Sequence, residues 1–460
     1  MKTMLNRTGV AAFRDGFGGS LLQPGDEGYE SARVVWNGAI DRRPAIVARC
    51  SGAADVIRSV RFARDHDLVV AVRSGGHSVG GFSTCDDGIL IDLSPMQGVR
   101  VDPDRRVARV HGGALLRELD HEAQAFGLAC PVGVVGHTGV AGLTLGGGMG
   151  RLQRRYGFSV DNMLSVDLVT SEGNLVHVSE DDHPELFWGI RGAGPNFGIV
   201  TSFEFRLHPV GPTVTHGALI FDAERAGEVG AAYRELAATA PDELFLGLGF
   251  GLATEEDELG PELTGRPVVW IAGTHSGSPD DAERILGPVR SLRPTLDTVR
   301  PMPYLSVQTT NDEAMAWGKR FYMKGGFLGD VPEDAVARCV DAAADQPGGG
   351  EITLWAQGGA IGRVPADAMA FTGREAAFWL GVETLWEDPN EDDSHVAWGR
   401  RTMDALTPFT VAGHYVNDVV ESGADVARAI YGDAKYELLV GLKRTWDPEN
   451  IFHLNQNVRP

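Results

Sequence analysis

The stretch AVRSGGHSVGG, residues 71–81, places a histidine between two pairs of glycines directly after an apolar run. Glycine has no Cβ, so paired glycines let the backbone approach another group closely. His77 in such a turn either contacts that group or hydrogen-bonds within its own turn. The second interpretation fits most loop histidines, so the rest of the chain has to decide between the two.

The composition indicates a soluble globular protein. The chain has 460 residues, of which 43% are hydrophobic and 23% charged, enough for two or three domains with a large core. A net charge of −22, with RLQRR (151–155) as the densest basic run, disfavours a nucleic-acid partner. No apolar stretch has the length of a signal peptide core or of a membrane span, so we expect no membrane partner.

The four cysteines lie far apart and show no metal-binding spacing. This usage is typical of a reducing interior, and we expect a cytoplasmic protein without disulfides. The histidines also lack the spacing of zinc ligands, so no metal site is predicted; they include His77, His111, His121 and His137. Nothing in the sequence indicates an oligomeric state.

The first half of the chain alternates short apolar runs with glycine-rich turns. The runs predict strands, and they are HDLVVAVR (66–73), GILIDLS (88–94) and ARVHGGA (108–114). Two patterns predict helices: SGAADVIRSVRFARDHD (51–67), with a serine cap, and ALLRELDHEAQAFG (114–127), which ends at Gly127.

After HPVGPTVTH (208–216) the pattern changes to longer alternating strands with fewer glycines. These predict an antiparallel sheet, with strands in ALIFDA (218–223), LFLGLGFGLA (244–253), RPVVWIAGTHSG (266–277), EITLWAQGGAIG (351–362) and AAFWLGVETLW (376–386). Helices are predicted in DDAERILGPVRSL (280–292), VPEDAVARCVDAAADQ (331–346) and the segment 423–446. We therefore expect two domains, with the last segment returning to the first.

The glycine clusters do not match the common nucleotide motifs. GAGPNFG (192–198) has the spacing GxGxxxG and precedes a strand, and Arg151 stands where LGGGMGR would need its last glycine. No GxxxxGK[ST] or GxSxG motif occurs, which argues against a P-loop and a serine hydrolase. Several glycine turns in one domain still indicate a long ligand lying along the backbone.

Together these stretches resemble the FAD-linked oxidases of the vanillyl-alcohol-oxidase/PCMH type, specifically the berberine-bridge-enzyme-like branch. The resemblance covers nearly the whole chain. Its segments are 25–50, 72–94, 137–173, 185–210, HYVN (414–417) and 436–460. It implies an α+β fold, with a two-part PCMH-type FAD-binding domain at 1–210 and a substrate domain at 211–419. The substrate domain is expected to be an antiparallel sheet with helices on one face, and 420–460 returns to the FAD domain.

The resemblance implies that the RSGGHS turn cradles the FAD pyrophosphate and that His77 is bonded to the flavin 8α-methyl group. Further cofactor contacts implied in the same way are Arg73, Ser74, Gly75, Gly76, Ser78, Thr138, Gly139, Gly142, Gly150 and Val200, with Tyr415, Asn417, Asn455 and Asn457 closing over the flavin. Some relatives carry a second link through a cysteine. That position falls near Val135 here, so Cys130 is expected to be a small buried thiol instead.

Three residues are candidates for the catalytic base. Tyr415 matches the family's tyrosine beside the ring. A phenol with a pKa near ~10 is a poor base unless its anion is stabilised. The alternative role for Tyr415 is stacking or hydrogen bonding under the flavin. Glu383 is the second candidate, with Gly381 as the alternative equivalent if the register shifts by two. Tyr322 is the third, with core packing as its competing role. His137 lies close to the expected ring position or only orients its turn.

The expected function is that of an FAD-dependent oxidase with covalently bound flavin. It would oxidise an alcohol, amine or related C–H group of a small molecule, either a sugar or a specialised metabolite, by hydride transfer to flavin N5. Molecular oxygen would reoxidise the flavin to give H2O2, and the small Thr138 would leave oxygen access open. Two alternatives remain: a dehydrogenase of the same fold that uses another acceptor, and a non-catalytic flavin-binding protein.

Overall fold

The computed structural model describes residues 7–254, 259 and 263–460. Its helices are α1 (Arg7–Arg14), α2 (Tyr29–Arg33), α3 (Ala53–Asp65), α4 (Leu116–Gln124), α5 (Val140–Leu145), α6 (Gln153–Tyr156), α7 (Pro184–Ala193), α8 (Ala226–Thr239), α9 (Pro279–Arg290), α10 (Tyr304–Gln308), α11 (Glu333–Ala344), α12 (Ala360–Arg363), α13 (Asp392–Leu406) and α14 (Ala424–Trp446).

Within the described residues, the strands form three main sheets and one two-stranded ribbon. They are β1 (Ser20–Leu22), β2 (Ile46–Arg49), β3 (Val70–Arg73), β4 (Ile89–Asp92), β5 (Val99–Asp102), β6 (Val107–His111), β7 (Leu128–Ala129), β8 (Met163–Val169), β9 (Leu175–Ser179), β10 (Ile199–Arg206), β11 (His208–Pro209), β12 (Thr213–Asp222), β13 (Leu244–Leu252), β14 (Pro267–His275), β15 (Leu296–Asp297), β16 (Arg300–Pro303), β17 (Arg320–Leu328), β18 (Gly350–Ala356), β19 (Phe378–Trp386) and β20 (Thr410–Val411).

The first sheet has the order β1-β2-β4-β3, and β2 and β3 both run parallel to β4. Every residue of β4 is buried, as expected for a parallel strand covered on both faces. The predicted strands and helix are present here. The predicted serine cap is wrong, because α3 follows Gly52 and has no side-chain cap. Asp55 instead accepts the N–H groups of Gly18 and Ser51.

The second sheet is antiparallel, with the order β5-β6-β10-β8-β9. Its core packs against α4, α5, α7 and α14. Gly127 has a φ of +66°, which explains why the chain turns there after α4.

In the part of the chain that the structure describes, the third sheet has nine antiparallel strands, mainly in the order β15-β12-β14-β13-β18-β19-β17-β20, with β16 paired to β12. Leucine and phenylalanine side chains on one face pack against α8, α9, α11 and α13. All five strands predicted for this region are present. The prediction missed β17, where Lys324, Gly325 and Gly326 interrupt the apolar alternation. The sheet covered on one face by helices is therefore confirmed.

A short segment of the first half docks against β17. Asn37 donates from Nδ2 to the Phe321 carbonyl (2.9 Å) and accepts the Phe321 N–H (3.1 Å). Trp36 donates from its indole nitrogen to the Met315 carbonyl at 2.6 Å. These bonds fix the uncovered face of the third sheet against the first half of the chain.

The C-terminal segment also ties the sheets together, through a buried ion pair. Lys443, near the end of α14, donates to the Asp447 carboxylate (2.7 Å) and to the carbonyls of Asn196 and Phe452 (both 2.8 Å). Both charged side chains are fully buried. Asp447 in turn accepts the N–H groups of Ile451 and Phe452, so the pair holds the chain as it enters the first sheet's core.

We expect Lys443→Met to lower the free energy of unfolding by about 3–5 kcal/mol, because it leaves the Asp447 charge buried without a partner. The measurement is urea unfolding followed by tryptophan fluorescence. The exposed neighbour Arg444 supplies the matched control, Arg444→Met, which should change stability by less than about 0.5 kcal/mol. Equal effects of the two substitutions would contradict the role given to the ion pair.

Candidate cofactor and active site

His77 is held by two aromatic partners. Its ring stacks on Trp36, with centroids 4.6 Å apart and planes 14° apart. Its Nε2 lies 2.7 Å from Nδ1 of His137. Burial is the main effect that lowers the pKa of His77 to about 3, and the neighbouring His137 lowers it further. The imidazole is therefore neutral at physiological pH and fixed in orientation.

The glycines around His77 allow two turns to meet. A Cβ on Gly75 would lie 2.2 Å from the backbone nitrogen of Gly139, and a Cβ on Gly139 would lie 2.4 Å from Oγ of Ser74. Gly76 has a φ of +71°, which L side chains rarely adopt. The 73–78 turn and the 138–150 turn thus approach as closely as bare backbone permits.

A cavity of about 570 Å³ opens beside this contact. The residues of its wall that matter here are Arg49, Ser74, Gly75, Arg117, His137 and Trp317. Oγ of Ser74 is buried there and has no hydrogen-bond partner among the described residues, and Arg117 adds a positive charge. An anionic group such as a diphosphate fits this combination of bare backbone, hydroxyl and cation.

Arg73 also lines this cavity, next to Ser74 and Gly75. Its guanidinium is buried, forms an ion pair with Asp92 at 2.8 Å and donates to the Val34 carbonyl at 2.7 Å. Through Asp92 and Val34, Arg73 therefore stabilises the position of the turn. Ser78 does the same, because its Oγ accepts the N–H of Phe82.

Tyr415 is anchored to the second glycine turn. Its hydroxyl oxygen accepts the N–H groups of Gly148 (3.2 Å) and Met149 (3.3 Å) and an N–H of the Asn417 amide (2.9 Å). Burial is the larger effect that raises the pKa of Tyr415 to about 12, and the nearby Asp418 is the second. The three hydrogen bonds lower the pKa by a smaller amount. Tyr415 is a neutral, fully engaged phenol, which matches the hydrogen-bonding role considered for it.

Acidic and aromatic side chains share the face of the third sheet that the helices leave uncovered. Glu383 pairs in register with Glu351 and Met323. Burial, followed by repulsion from Glu351 and Asp418, raises the pKa of Glu383. Gly381 has no side chain, so that position carries no acid–base group, and the ring of Trp379 lies over it.

Asp418 completes this acidic group. Its carboxylate accepts the indole N–H of Trp379 at 2.6 Å and lies over Gly325, where a Cβ would come within 2.4 Å of Oδ2. Burial raises the pKa of Asp418 from its ordinary value of 3.8 to about 8, although the Trp379 hydrogen bond opposes the shift. Sequence reasoning missed Asp418, because NDVV resembles an ordinary turn.

One apolar cluster connects the histidine to this acidic face. It contains Trp36, Met149, Phe321, Met323, Phe371, Trp379 and Tyr415, with Trp355 packed against it. The rings of Trp36 and Phe321 lie 5.0 Å apart. His77, Tyr415 and Glu383 therefore border one interface between the first half of the chain and the third sheet. Sequence reasoning also missed Trp36, whose contacts all come from distant residues.

Tyr322 is not part of this interface, which corrects the third catalytic candidate. Its side chain is on the opposite face of β17, where its ring lies against Gly399 of α13. The alternation of β17 side chains explains the difference, since Phe321 and Met323 take the inward face.

Several implied cofactor contacts lie outside the walls of the cavity. Gly142 is within α5, Val200 is buried in β10, and a Cβ on Gly150 would meet the Val132 carbonyl at 1.8 Å. Asn455 and Asn457 lie in the C-terminal segment, and the buried Oδ1 of each has no hydrogen-bond partner in the part of the chain that the structure describes. Thr138 uses its backbone carbonyl to accept the N–H of Leu116.

Cys130 is a fully buried thiol in the core of the second sheet. Burial raises the pKa of its thiol well above the ordinary value. This environment matches the prediction of an inert thiol. Among residues 7–254, 259 and 263–460, no helix could span a membrane and no His, Cys, Asp or Glu cluster could hold a metal.

Comparison with known proteins identifies two family models in the chain. Residues 44–179 match an FAD binding domain, and residues 414–459 match the family described as berberine and berberine like. The chain is 32% identical to the (R)-6-hydroxynicotine oxidase of Paenarthrobacter nicotinovorans, over 96% of this chain and 97% of that protein. It is 29% identical to an FAD-linked oxidoreductase of Dictyostelium discoideum, over 98% and 97%.

Solved structures show the same fold. The 6-hydroxy-D-nicotine oxidase of Arthrobacter nicotinovorans superposes with a TM-score of 0.83 at 29% identity, covering 96% of this chain and 98% of that one. The xylooligosaccharide oxidase of Myceliophthora thermophila, solved with xylobiose, superposes with a TM-score of 0.86 at 22% identity, covering 98% and 99%. The second likeness concerns the fold alone.

The raised pKa of Asp418 predicts how stability depends on pH. The folded protein holds this proton more tightly than the unfolded chain, so the stabilisation is complete below about pH 4 and is lost as the pH rises to about 8. Asp418→Asn mimics the protonated acid and keeps an acceptor for Trp379. As the pH rises through this window, the unfolding free energy of Asp418→Asn minus that of the wild type should therefore increase by up to about 1.4 kcal/mol per pH unit.

The measurement is chemical unfolding of both proteins at pH 5, 6.5 and 8. The exposed Asp404 provides the control substitution Asp404→Asn, which should give a constant difference from the wild type. A constant difference for Asp418→Asn as well would contradict the raised pKa.

Proposed function

The chain belongs to the berberine-bridge-enzyme-like family of FAD-linked oxidoreductases, and from this we propose that it is an oxidase that carries FAD on His77 and oxidises a cationic amine. That it is an FAD-linked oxidoreductase follows from its relatives. The covalent link, the electron acceptor and the substrate class are the proposal.

The residues beside the 570 Å³ cavity suit FAD. Oγ of Ser74 and the backbone of Gly75 and Gly139 would hold the diphosphate, with Arg117 contributing charge. His77, neutral and fixed against Trp36, would carry the flavin through its 8α-methyl group. When bound, FAD supplies a two-electron acceptor for the hydride.

The acidic aromatic face is the observation that supports an amine substrate. Glu383, Glu351 and Asp418 face the interface together with Trp355 and Trp379. A cation bound there would stabilise the ionised carboxylates and lower their raised pKa values. It would also be attracted to the indole faces. A neutral sugar gains little from these charges. The name of the (R)-6-hydroxynicotine oxidase, which is 32% identical to this chain, contains that of an amine.

Each residue then has a defined part in the reaction. The indoles of Trp355 and Trp379 bind and orient the substrate cation. An ionised Glu383 accepts the ammonium proton on its carboxylate, which leaves the neutral amine that can lose hydride from the adjacent carbon. Tyr415 holds the backbone of Gly148 and Met149 in place. With FAD bound, oxygen would take the electrons to give H2O2, and the small Thr138 would leave its access open.

The covalent link predicts a mass difference. The denatured wild type should be heavier than its chain by one FAD, and His77→Ala should lose this increment, because the imidazole that would carry the flavin is removed. Intact-mass spectrometry checks this, with His121→Ala at an exposed site as the control that keeps the flavin. Flavin retained by denatured His77→Ala would mean that another residue, such as Cys130, carries it.

The substrate class predicts a charge-dependent loss of binding. Glu383→Gln should raise KM for a cationic amine by about tenfold or more, the equivalent of about 1.4 kcal/mol, with a smaller effect on a neutral analogue. Oxygen uptake and H2O2 formation are measured over a panel of amines and oligosaccharides. The exposed Glu387 gives the matched control Glu387→Gln.

Three outcomes would overturn parts of this proposal. Oxidation of oligosaccharides but no amines would replace the substrate class. Flavin reduction without oxygen uptake would indicate a dehydrogenase with another acceptor. Absence of flavin reduction with the whole panel would favour a non-catalytic flavin-binding protein.

A further inference from the structure

The hydrogen bonds of His137 determine which nitrogen of His77 carries the proton. Nε2 of His137 lies 3.3 Å from the backbone carbonyl of Asp312. A carbonyl only accepts, so Nε2 of His137 is the protonated nitrogen and its Nδ1 is the bare acceptor. Nε2 of His77, 2.7 Å away, must then donate. Nδ1 of His77 is left with a free lone pair.

We propose that His137 is the residue that prepares His77 for covalent attachment of the flavin: it holds His77 with the proton on Nε2, so that Nδ1 is the nucleophile, and it accepts that proton as the bond forms. This inference rests on the proposed link between His77 and FAD. His137 does not itself form the bond and acts through His77.

The surroundings of His137 support a proton acceptor at this position. The Asp312 carboxylate accepts the N–H of Gly136 at 2.6 Å, next to His137 in the chain. This bond places the Asp312 carboxylate against the turn that carries His137. The Asp312 carbonyl keeps its hydrogen bond throughout, since Nε2–H is present in both states.

The position of His77 supports a nucleophile. Trp36 covers one face of the ring, so the ring plane is fixed and its nitrogens are reached from the edge. Within residues 7–254, 259 and 263–460, the hydrogen bonds of the His77 ring involve Nε2 alone. Burial keeps the ring neutral, which is the state that has a lone pair to offer.

A bond forms between Nδ1 of His77 and the flavin 8α carbon, and one C–H bond of the methyl group breaks. The methyl proton passes to water, the Nε2 proton of His77 passes to Nδ1 of His137, and the electron pair of the broken C–H bond reduces the flavin. Molecular oxygen then takes these two electrons and two protons, giving H2O2 and the oxidised, linked cofactor.

The test measures attachment separately from turnover. His137→Ala, His137→Asn and the control His121→Ala are purified, and each is incubated in air with excess FAD. The fraction of denatured chain that carries the FAD mass is followed over time by intact-mass spectrometry. Visible absorbance of the native protein reports how much FAD is bound in total.

We expect His137→Ala to bind FAD in the native state but to attach it at least about 100-fold more slowly, as general base help is typically worth about 10²–10⁴-fold. His137→Asn keeps an acceptor for the His77 N–H but cannot take its proton, so it should also be slow. Added imidazole should restore part of the rate in His137→Ala. The control should match the wild type.

The possible failures are distinguishable. A wild type without bound FAD mass would overturn the covalent link itself. A linked wild type together with His137→Ala and His137→Asn that attach FAD at the wild-type rate would overturn only the role of His137. Should His137→Ala not bind FAD at all, the rate in His137→Asn decides: slow attachment supports the role, and a wild-type rate contradicts it.

Discussion

The contact between two bare stretches of backbone, at Gly75 and Gly139, is the constraint on which the rest of the site depends. Either Cβ would clash with the opposite turn, at 2.2–2.4 Å. Because the turns meet, the residue two positions after Gly75 and the residue two positions before Gly139 are brought side by side. Those residues are His77 and His137, and their 2.7 Å contact is a consequence of this approach.

Docking of the third sheet supplies the other half of the site. Asn37 bonds to both backbone polar groups of Phe321, as a neighbouring strand would, and the adjacent Trp36 then lies between His77 and Phe321. A single short segment thus positions a flavin-side residue and the substrate-side face relative to each other. A shift of β17 by one residue would exchange its inward and outward side chains.

Local patterns in the sequence predicted strands in each of the three main sheets and the helices α3, α4, α9, α11 and α14, because alternation and turn residues act over a few positions. The helix-covered face of the third sheet follows from alternating leucines in β13, for example, whose intervening glycines leave room for Trp270 and Trp355. β17 was missed because its glycines make space for Asp418, a residue 93 positions away from Gly325. Asp418 and Trp36 act through distant contacts, which no local pattern encodes.

The acidic face explains why this site is costly for the empty protein and suited to a cation. Burial raises the pKa values of both Glu383 and Asp418, so each resists ionisation until a positive charge arrives. A buried Lys or Arg beside Glu383 and Asp418 would neutralise their carboxylates, but the neighbouring side chain on this face is the indole of Trp379. In the empty protein these carboxyl groups therefore hold their protons, whereas a bound cation favours their ionised forms, and discrimination between an ammonium and a neutral molecule follows from that difference.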